Sequence, residues 1–230
     1  KKGPVIANYG LENCSFFNPV YAGDTITVYL TAKEKINRGV KGRNIPSGVV
    51  KWLVEVVNQR DEIVCVATIL TLVAKHSPFI DFKVQNIQKK LNALTEKTQP
   101  VFGDFTPQLM VEHLEEVLRN GFGNLKPEDF PEIPAEKLEL LQDWLYTDKK
   151  IRPGAQYPLW KEGEVPQNKN KNLDEAKTKL VETLKEFTVY FKENPFAEHY
   201  NPRFGHLNKE MMELFQRKHF THHFEQFGLI

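Results

Sequence analysis

Three of the seven histidines in this 230-residue sequence, His113, His219 and His223, fall on the inward stripes of stretches with helical periodicity. His219 and His223 are four residues apart, so on a helix both imidazoles project from one face, about one turn from each other. A His-x-x-x-His pair offers two adjacent ligands to a small cation. A third imidazole from another helix completes a facial set that leaves coordination positions open to water or substrate, as in catalytic rather than closed structural sites. Helical bundles commonly build metal sites in this way, from side chains on facing helices. Two features favour a plainer reading: a single inward histidine is more often a hydrogen-bonded core residue, and His222 shares a face with His219 as well. His76, His199 and His206 sit in expected loops or boundaries, where structural or solvated roles are the expectation.

No second constellation competes. Gly121-Phe122-Gly123 is too short for a phosphate loop and has no strand before it, and no Gly-x-Ser-x-Gly elbow is present. Glu115 and Glu116 are expected on the solvated face of their helix. Glu225 could stand behind the histidines, although its spacing suits an exposed surface better.

The elements that must carry these residues divide into two unlike pieces, 1–77 and 78–230, which makes the chain α+β. Residues 5–75 run in short apolar or alternating segments rich in Val, Ile, Thr and Tyr. Asp24 to Thr31 places Ile26, Val28 and Leu30 on one face. Gly39 to Gly48 reads as a loop, and Val49 to Val57 and Ile63 to Ala74 flank a turn at Asn58-Gln59-Arg60-Asp61, predicting an antiparallel hairpin. The second run is almost continuously apolar, which predicts a strand covered on both faces.

Beyond Ser77-Pro78 the period changes from 2 to 3.6. Phe79, Phe82, Ile87, Leu91 and Leu94 predict a helix over 79–97, and Thr106-Pro107 caps a second that ends before Gly121. Residues 121–134 are expected as loop, Ala135 to Tyr146 as a shorter helix, and 147–172 as a stretch without clear elements. A long helix follows, carrying Ala176, Leu180, Leu184, Phe187 and Phe191, and stops before Asn194-Pro195; Asn208 caps a last one.

Composition excludes several classes. A formal net charge of +1, with 27% charged and 40% hydrophobic residues, argues against a nucleic-acid-binding surface. The lysines at 169, 171, 177 and 179 are interleaved with Asn and acids and read as a solvated loop and helix start. The longest apolar run, Ile63 to Ala74, is too short to span a bilayer, so no membrane partner is expected. Cys14 and Cys65 show no paired spacing and are expected as reduced core thiols of a cytoplasmic protein, a disulfide between them remaining open. Lys1-Lys2-Gly3-Pro4 has neither an initiator Met nor signal-peptide features and is expected to be an interior cut of a longer chain.

Two family resemblances bear on this. Gly3 to Asn13, Phe16, Pro19-Val20-Tyr21-Ala22-Gly23-Asp24-Thr25-Ile26, Val56 to Arg60 and Thr68 to Ala74 resemble the second half of a MaoC-like hot-dog enoyl-CoA hydratase domain, as found in PaaZ-type bifunctional proteins of phenylacetate degradation. The resemblance covers about the first third of the chain and implies a partial hot-dog sheet and CoA thioesters such as oxepin-CoA as substrates of the parent family. The family's catalytic Asp and His lie in the first half of that fold, and no such motif precedes Gly3, so no hydratase catalytic residue is carried over. A half hot-dog leaves strand edges and an apolar face uncovered, so homo-oligomerisation through these strands, pairing with upstream sequence, or packing on the bundle is expected.

Residues 79–230 resemble DinB/YfiT-like four-helix bundles, through Thr106 to Leu114, His199-Tyr200-Asn201-Pro202-Arg203-Phe204-Gly205 and Lys218 to Gly228. Members typically bind a divalent metal (Zn, Ni or Fe) through one histidine of the second helix and a His-x-x-x-His pair of the last. Here these are His113, His219 and His223. Some branches activate a small thiol at the metal, and others have no known reaction, which leaves a non-catalytic accessory or oligomerisation module as the alternative function.

Overall fold

The computed structural model describes residues 5–37, 47–75, 77–123, 125–154 and 166–230. Lys1 to Pro4, the expected loop from Gly39 as far as residue 46, His76, and residues 155–165 of the stretch without clear elements lie outside the described residues. The chain divides into two compact units, Lys1–Ser77 and Pro78–Ile230.

The first unit is a four-stranded antiparallel sheet of β1 (Val5–Phe16), β2 (Ile26–Asn37), β3 (Ser47–Asn58) and β4 (Ile63–Ala74), in the order β1-β4-β3-β2. The β3–β4 hairpin turns where the Asn and Asp residues stand. The Asn58 carboxamide oxygen accepts from the backbone N–H of Arg60 (2.9 Å) and Glu62 (3.1 Å), and Asp61 takes a left-handed φ of 60°. Strand β2 starts later than its alternation suggests, because Asp24 is spent on a turn. Its carboxylate accepts from Tyr21 N–H at 2.8 Å and from the Gln59 side chain at 2.7 Å, beside Gly23 at φ 96°.

Strand β4 is not covered on both faces. It lies between β1 and β3, yet only Val64, Ala67 and Leu70 are buried, since among the described residues of this unit no helix lies against the sheet. Every residue of β1 is exposed, including Val5, Ile6, Tyr9, Leu11 and Phe16. The cysteines are likewise not core residues: Cys14 is exposed and Cys65 half-buried, both free thiols, with sulfurs 3.9 Å apart across the β1–β4 pair.

The second unit contains α1 (Val84–Leu91), α2 (Pro107–Asn120), a 3-10 turn at Pro127–Asp129, α3 (Ala135–Leu145), α4 (Leu173–Glu193), a hairpin of β5 (Glu198–Asn201) and β6 (Gly205–Asn208), and α5 (Lys209–Gln226). Among the described residues of this unit five α-helices stand, the number the helical periodicity predicts, where the resemblance to a four-helix bundle implies four, and the class is α+β. Their apolar stripes meet in one core built around Leu114, Leu118, Leu184, Phe187, Phe220 and Phe224.

The expected 79–97 helix shrinks to α1. Tertiary bonds hold the residues before it extended: Ile80 N–H donates to Thr221 Oγ1 (2.9 Å), and its carbonyl accepts from Arg217 Nε (3.2 Å), both on α5. The β5–β6 hairpin is absent from the sequence-based reading. Asn201 Oδ1 makes its turn by accepting from the N–H of Arg203 (2.9 Å) and Phe204 (3.2 Å). Gly205 follows at φ 67°, where a Cβ would come within 2.9 Å of Leu138.

Lys218 on α5 is buried, donating to the carbonyls of Thr147 (2.6 Å) and Lys149 (2.7 Å) and lying 4.2 Å from the ring centre of Phe79 and 4.3 Å from that of Trp144. Burial lowers its pKa to about 8. No helix among the described residues is long and apolar enough to cross a membrane.

Candidate metal centre

Two helix starts set the positions of the histidines. Thr106 Oγ1 accepts from Leu109 N–H at 3.2 Å, and Pro107 begins α2, which turns His113 inward together with Met110, Leu114 and Val117. Asn208 Oδ1 accepts from Met211 N–H at 3.0 Å and begins α5, whose inward face carries Met212, Gln216, His219 and His223.

The three side chains converge. His113 Nε2 lies 3.0 Å from His219 Nε2, and His223 Nε2 lies 3.1 Å from the same atom. One nitrogen of each residue is within 4.8 Å of the others, and the residues are 4, 7 and 6% exposed for His113, His219 and His223, so the cluster only grazes the surface. The rings stand nearly perpendicular to one another, at 78°, 73° and 84°. Apolar rings back them: Phe105 stacks on His223 and meets His113 edge-on, and Phe215 stacks on His219 with centroids 5.6 Å apart.

Burial pushes the imidazoles toward the neutral form. It holds His113 and His219 well below the ordinary histidine range, with the neighbouring histidines adding to the effect. It takes His223 to about 3 against a raising hydrogen bond from Gln226. Neutral imidazoles with lone pairs facing one point form a ligand set. Nδ1 of His219 is buried with no hydrogen-bond partner among the described residues.

His222, which shares a face with His219 by spacing, stands outside this group. It is half-buried, and its Nδ1 lies 3.3 Å from the carbonyl of Ile151. His199 is a structural residue, its two nitrogens meeting Gly123 O (3.0 Å) and Tyr190 OH (2.9 Å); His206 is exposed. Glu225 pairs with Lys150 at the surface. Glu115 and Glu116 are not on a solvated face. Glu115 accepts from Arg119 Nε (2.7 Å) and Thr183 Oγ1 (2.8 Å), and Glu116 pairs with Lys169 at 2.6 Å.

Two buried polar residues beside the cluster had escaped sequence reasoning. Glu112, next to His113, is 4% exposed. Its carboxylate accepts from Gln108 Nε2 (2.9 Å), the backbone N–H of Lys169 (2.7 Å) and Asn170 (2.9 Å), and Asn170 Nδ2 (3.0 Å). Burial works to raise its pKa, but these four donors outweigh it and the net shift is downward. The second is Gln226, whose Oε1 lies 2.8 Å from His223 Nδ1; the three-residue spacing to His223 was the available signal.

A 32-residue stretch is 66% identical to Protein MaoC of Klebsiella aerogenes, covering 14% of this chain, and the chain spans 10% of that protein's length. The X-ray structure of monoamine oxidase regulatory protein from Archaeoglobus fulgius aligns at 37% identity over 32% of this chain and 44% of its own, with a TM-score of 0.28. The third match is far longer. The model described as "Protein of unknown function (DUF1569)" covers residues 83–228, which hold all three converging histidines, and the chain therefore belongs to the DUF1569 family.

Proposed function

We propose that the helical unit is a divalent-metal-binding module whose ligands are His113, His219 and His223. The observation that carries this reading is the meeting of three buried imidazole nitrogens from two helices, within 4.8 Å of one another. The donor set fits such an ion. Three neutral imidazoles without a carboxylate suit Zn, Ni or Fe rather than Mg or Ca. Ligands about 2.1 Å from a common ion lie roughly 3.0 Å apart at right angles and about 3.4 Å apart at tetrahedral angles; two of the three pairs, at 3.0 and 3.1 Å, match this, and the third lies within 4.8 Å. Bound there, the ion supplies Lewis-acid chemistry, lowering the pKa of a coordinated water or small thiol. The chain's own contribution is to keep the imidazoles neutral by burial and to shield them with Phe105 and Phe215. No base is assigned.

Metal analysis of the purified protein tests the reading. About one equivalent of Zn, Ni or Fe is expected, falling below a tenth in His219→Ala; less than a tenth of an equivalent in the unsubstituted protein, after incubation with each metal, overturns it.

A second reading concerns the sheet. The twelve exposed residues of β1, with their large apolar side chains, favour an accessory or oligomerisation role for the first unit. We read that unit as the second half of a MaoC-like hot-dog, on the motif text around Pro19 to Ile26. On this reading CoA thioesters of phenylacetate degradation are the substrate class of the parent protein, and the unit itself carries no hydratase residues.

A further inference from the structure

We propose that Gln226 is a positioning residue that holds His223 as its Nδ1–H tautomer and so presents the Nε2 lone pair to the centre shared with His113 and His219. The inference rests on the metal-binding reading above and adds to it the residue that sets one ligand's proton.

The orientation of the Gln226 carboxamide is decided by its far side. Its Nε2 donates to the backbone carbonyl of Phe102 at 2.9 Å, a group that can only accept. The carboxamide oxygen therefore faces His223 Nδ1, 2.8 Å away, and an oxygen there requires a donor. A neutral imidazole carries one ring proton. With that proton on Nδ1, Nε2 has only a lone pair, and this is the atom 3.1 Å from His219 Nε2.

The segment around Phe102 is built to hold this one side chain. Val101 N–H donates to the Gln226 backbone carbonyl at 2.7 Å, which fixes the end of α5 against it. Gly103 stands at φ +72°, and a Cβ on it would come within 2.8 Å of Gln226 Nε2, so a larger residue would displace the carboxamide. Gln226 itself is 4% exposed, leaving water little access to substitute for the contact. His219 offers the contrast: among the described residues its Nδ1 has no such partner.

The test uses the full chain, stripped of metal by a chelator and labelled with 15N-histidine. Long-range 1H–15N correlation spectra distinguish the two neutral tautomers directly. The unsubstituted protein should show His223 protonated at Nδ1; a His223 protonated at Nε2 overturns the inference without recourse to any variant. Cobalt(II) affinity, read from its absorption bands, should fall 10- to 100-fold in Gln226→Met. The urea-unfolding midpoint of the metal-free variant separates this from loss of the fold. Equal cobalt affinity in Gln226→Met, with the tautomer unchanged, also overturns the inference. If the unsubstituted protein binds no cobalt, the metal-binding reading fails instead, and the tautomer spectrum alone still decides whether Gln226 acts as stated.

Discussion

Acidification of the metal-free protein should weaken it through the three clustered histidines, at a pH where carboxylates contribute little. In the unfolded chain each imidazole titrates near pH 6.5. In the folded unit burial holds His113 and His219 well below that value and His223 at about 3. The folded values are depressed, so between them and about 6.5 the unfolded state binds more protons. Stability is whole above about pH 6.5 and is lost as pH falls toward about 3. One pH unit below 6.5, each imidazole kept neutral costs about 1.4 kcal/mol, so three together cost roughly 4 kcal/mol between pH 7.5 and 5.5. Urea unfolding followed by helical ellipticity measures this directly. In His219→Leu the same pH change should cost about 3 kcal/mol, because one of the three groups is gone. Titrating groups away from the cluster cancel in the comparison, whereas His222, whose charge acts on all three rings, does not. A drop below about 1 kcal/mol in the unsubstituted protein, or an identical drop in His219→Leu, refutes the claim that these rings are held neutral.

Two further outcomes follow from contacts outside the cluster. Glu112→Leu removes an acceptor from four donors around Lys169 and Asn170, two of them backbone N–H groups, and should destabilise the helical unit by about 2–4 kcal/mol. Chemical denaturation checks this, and a change under about 0.5 kcal/mol shows that water replaces the carboxylate. The exposed apolar side chains of β1 should drive self-association of the full chain at micromolar concentration, visible as a dimer or larger species in light scattering, whereas a monodisperse monomer counts against an oligomerising sheet.

What the sequence reveals is what depends on neighbours along the chain. The Thr106-Pro107 and Asn208 signals locate the starts of α2 and α5, because capping is decided within three residues. The inward direction of His113, His219 and His223 follows from helical period for the same reason. Where the expectation fails, a distant partner decides. Ile80 is extended because Thr221 and Arg217 take its backbone groups, at separations of 141 and 137 residues. Glu112 is buried because the backbone N–H groups of Lys169 and Asn170, more than 50 residues on, fold over it. β5 and β6 have four residues each, the least over which a period of 2 can be read, and Glu198-His199-Tyr200-Asn201 shows none. The tautomer of His223 depends on Phe102, 124 residues before the glutamine that links them.

The contact between His113 and His219 joins positions 106 residues apart. An ion ligated by both would thus act as a cross-link, tying off most of the helical unit in one loop. By the chain-entropy estimate for a closure of that length, such a tie restrains the unfolded ensemble by about 5 kcal/mol. Release of the ion and separation of α2 from α5 would then be one kinetic event, and chelator-induced loss should track the rate of global unfolding rather than that of local breathing.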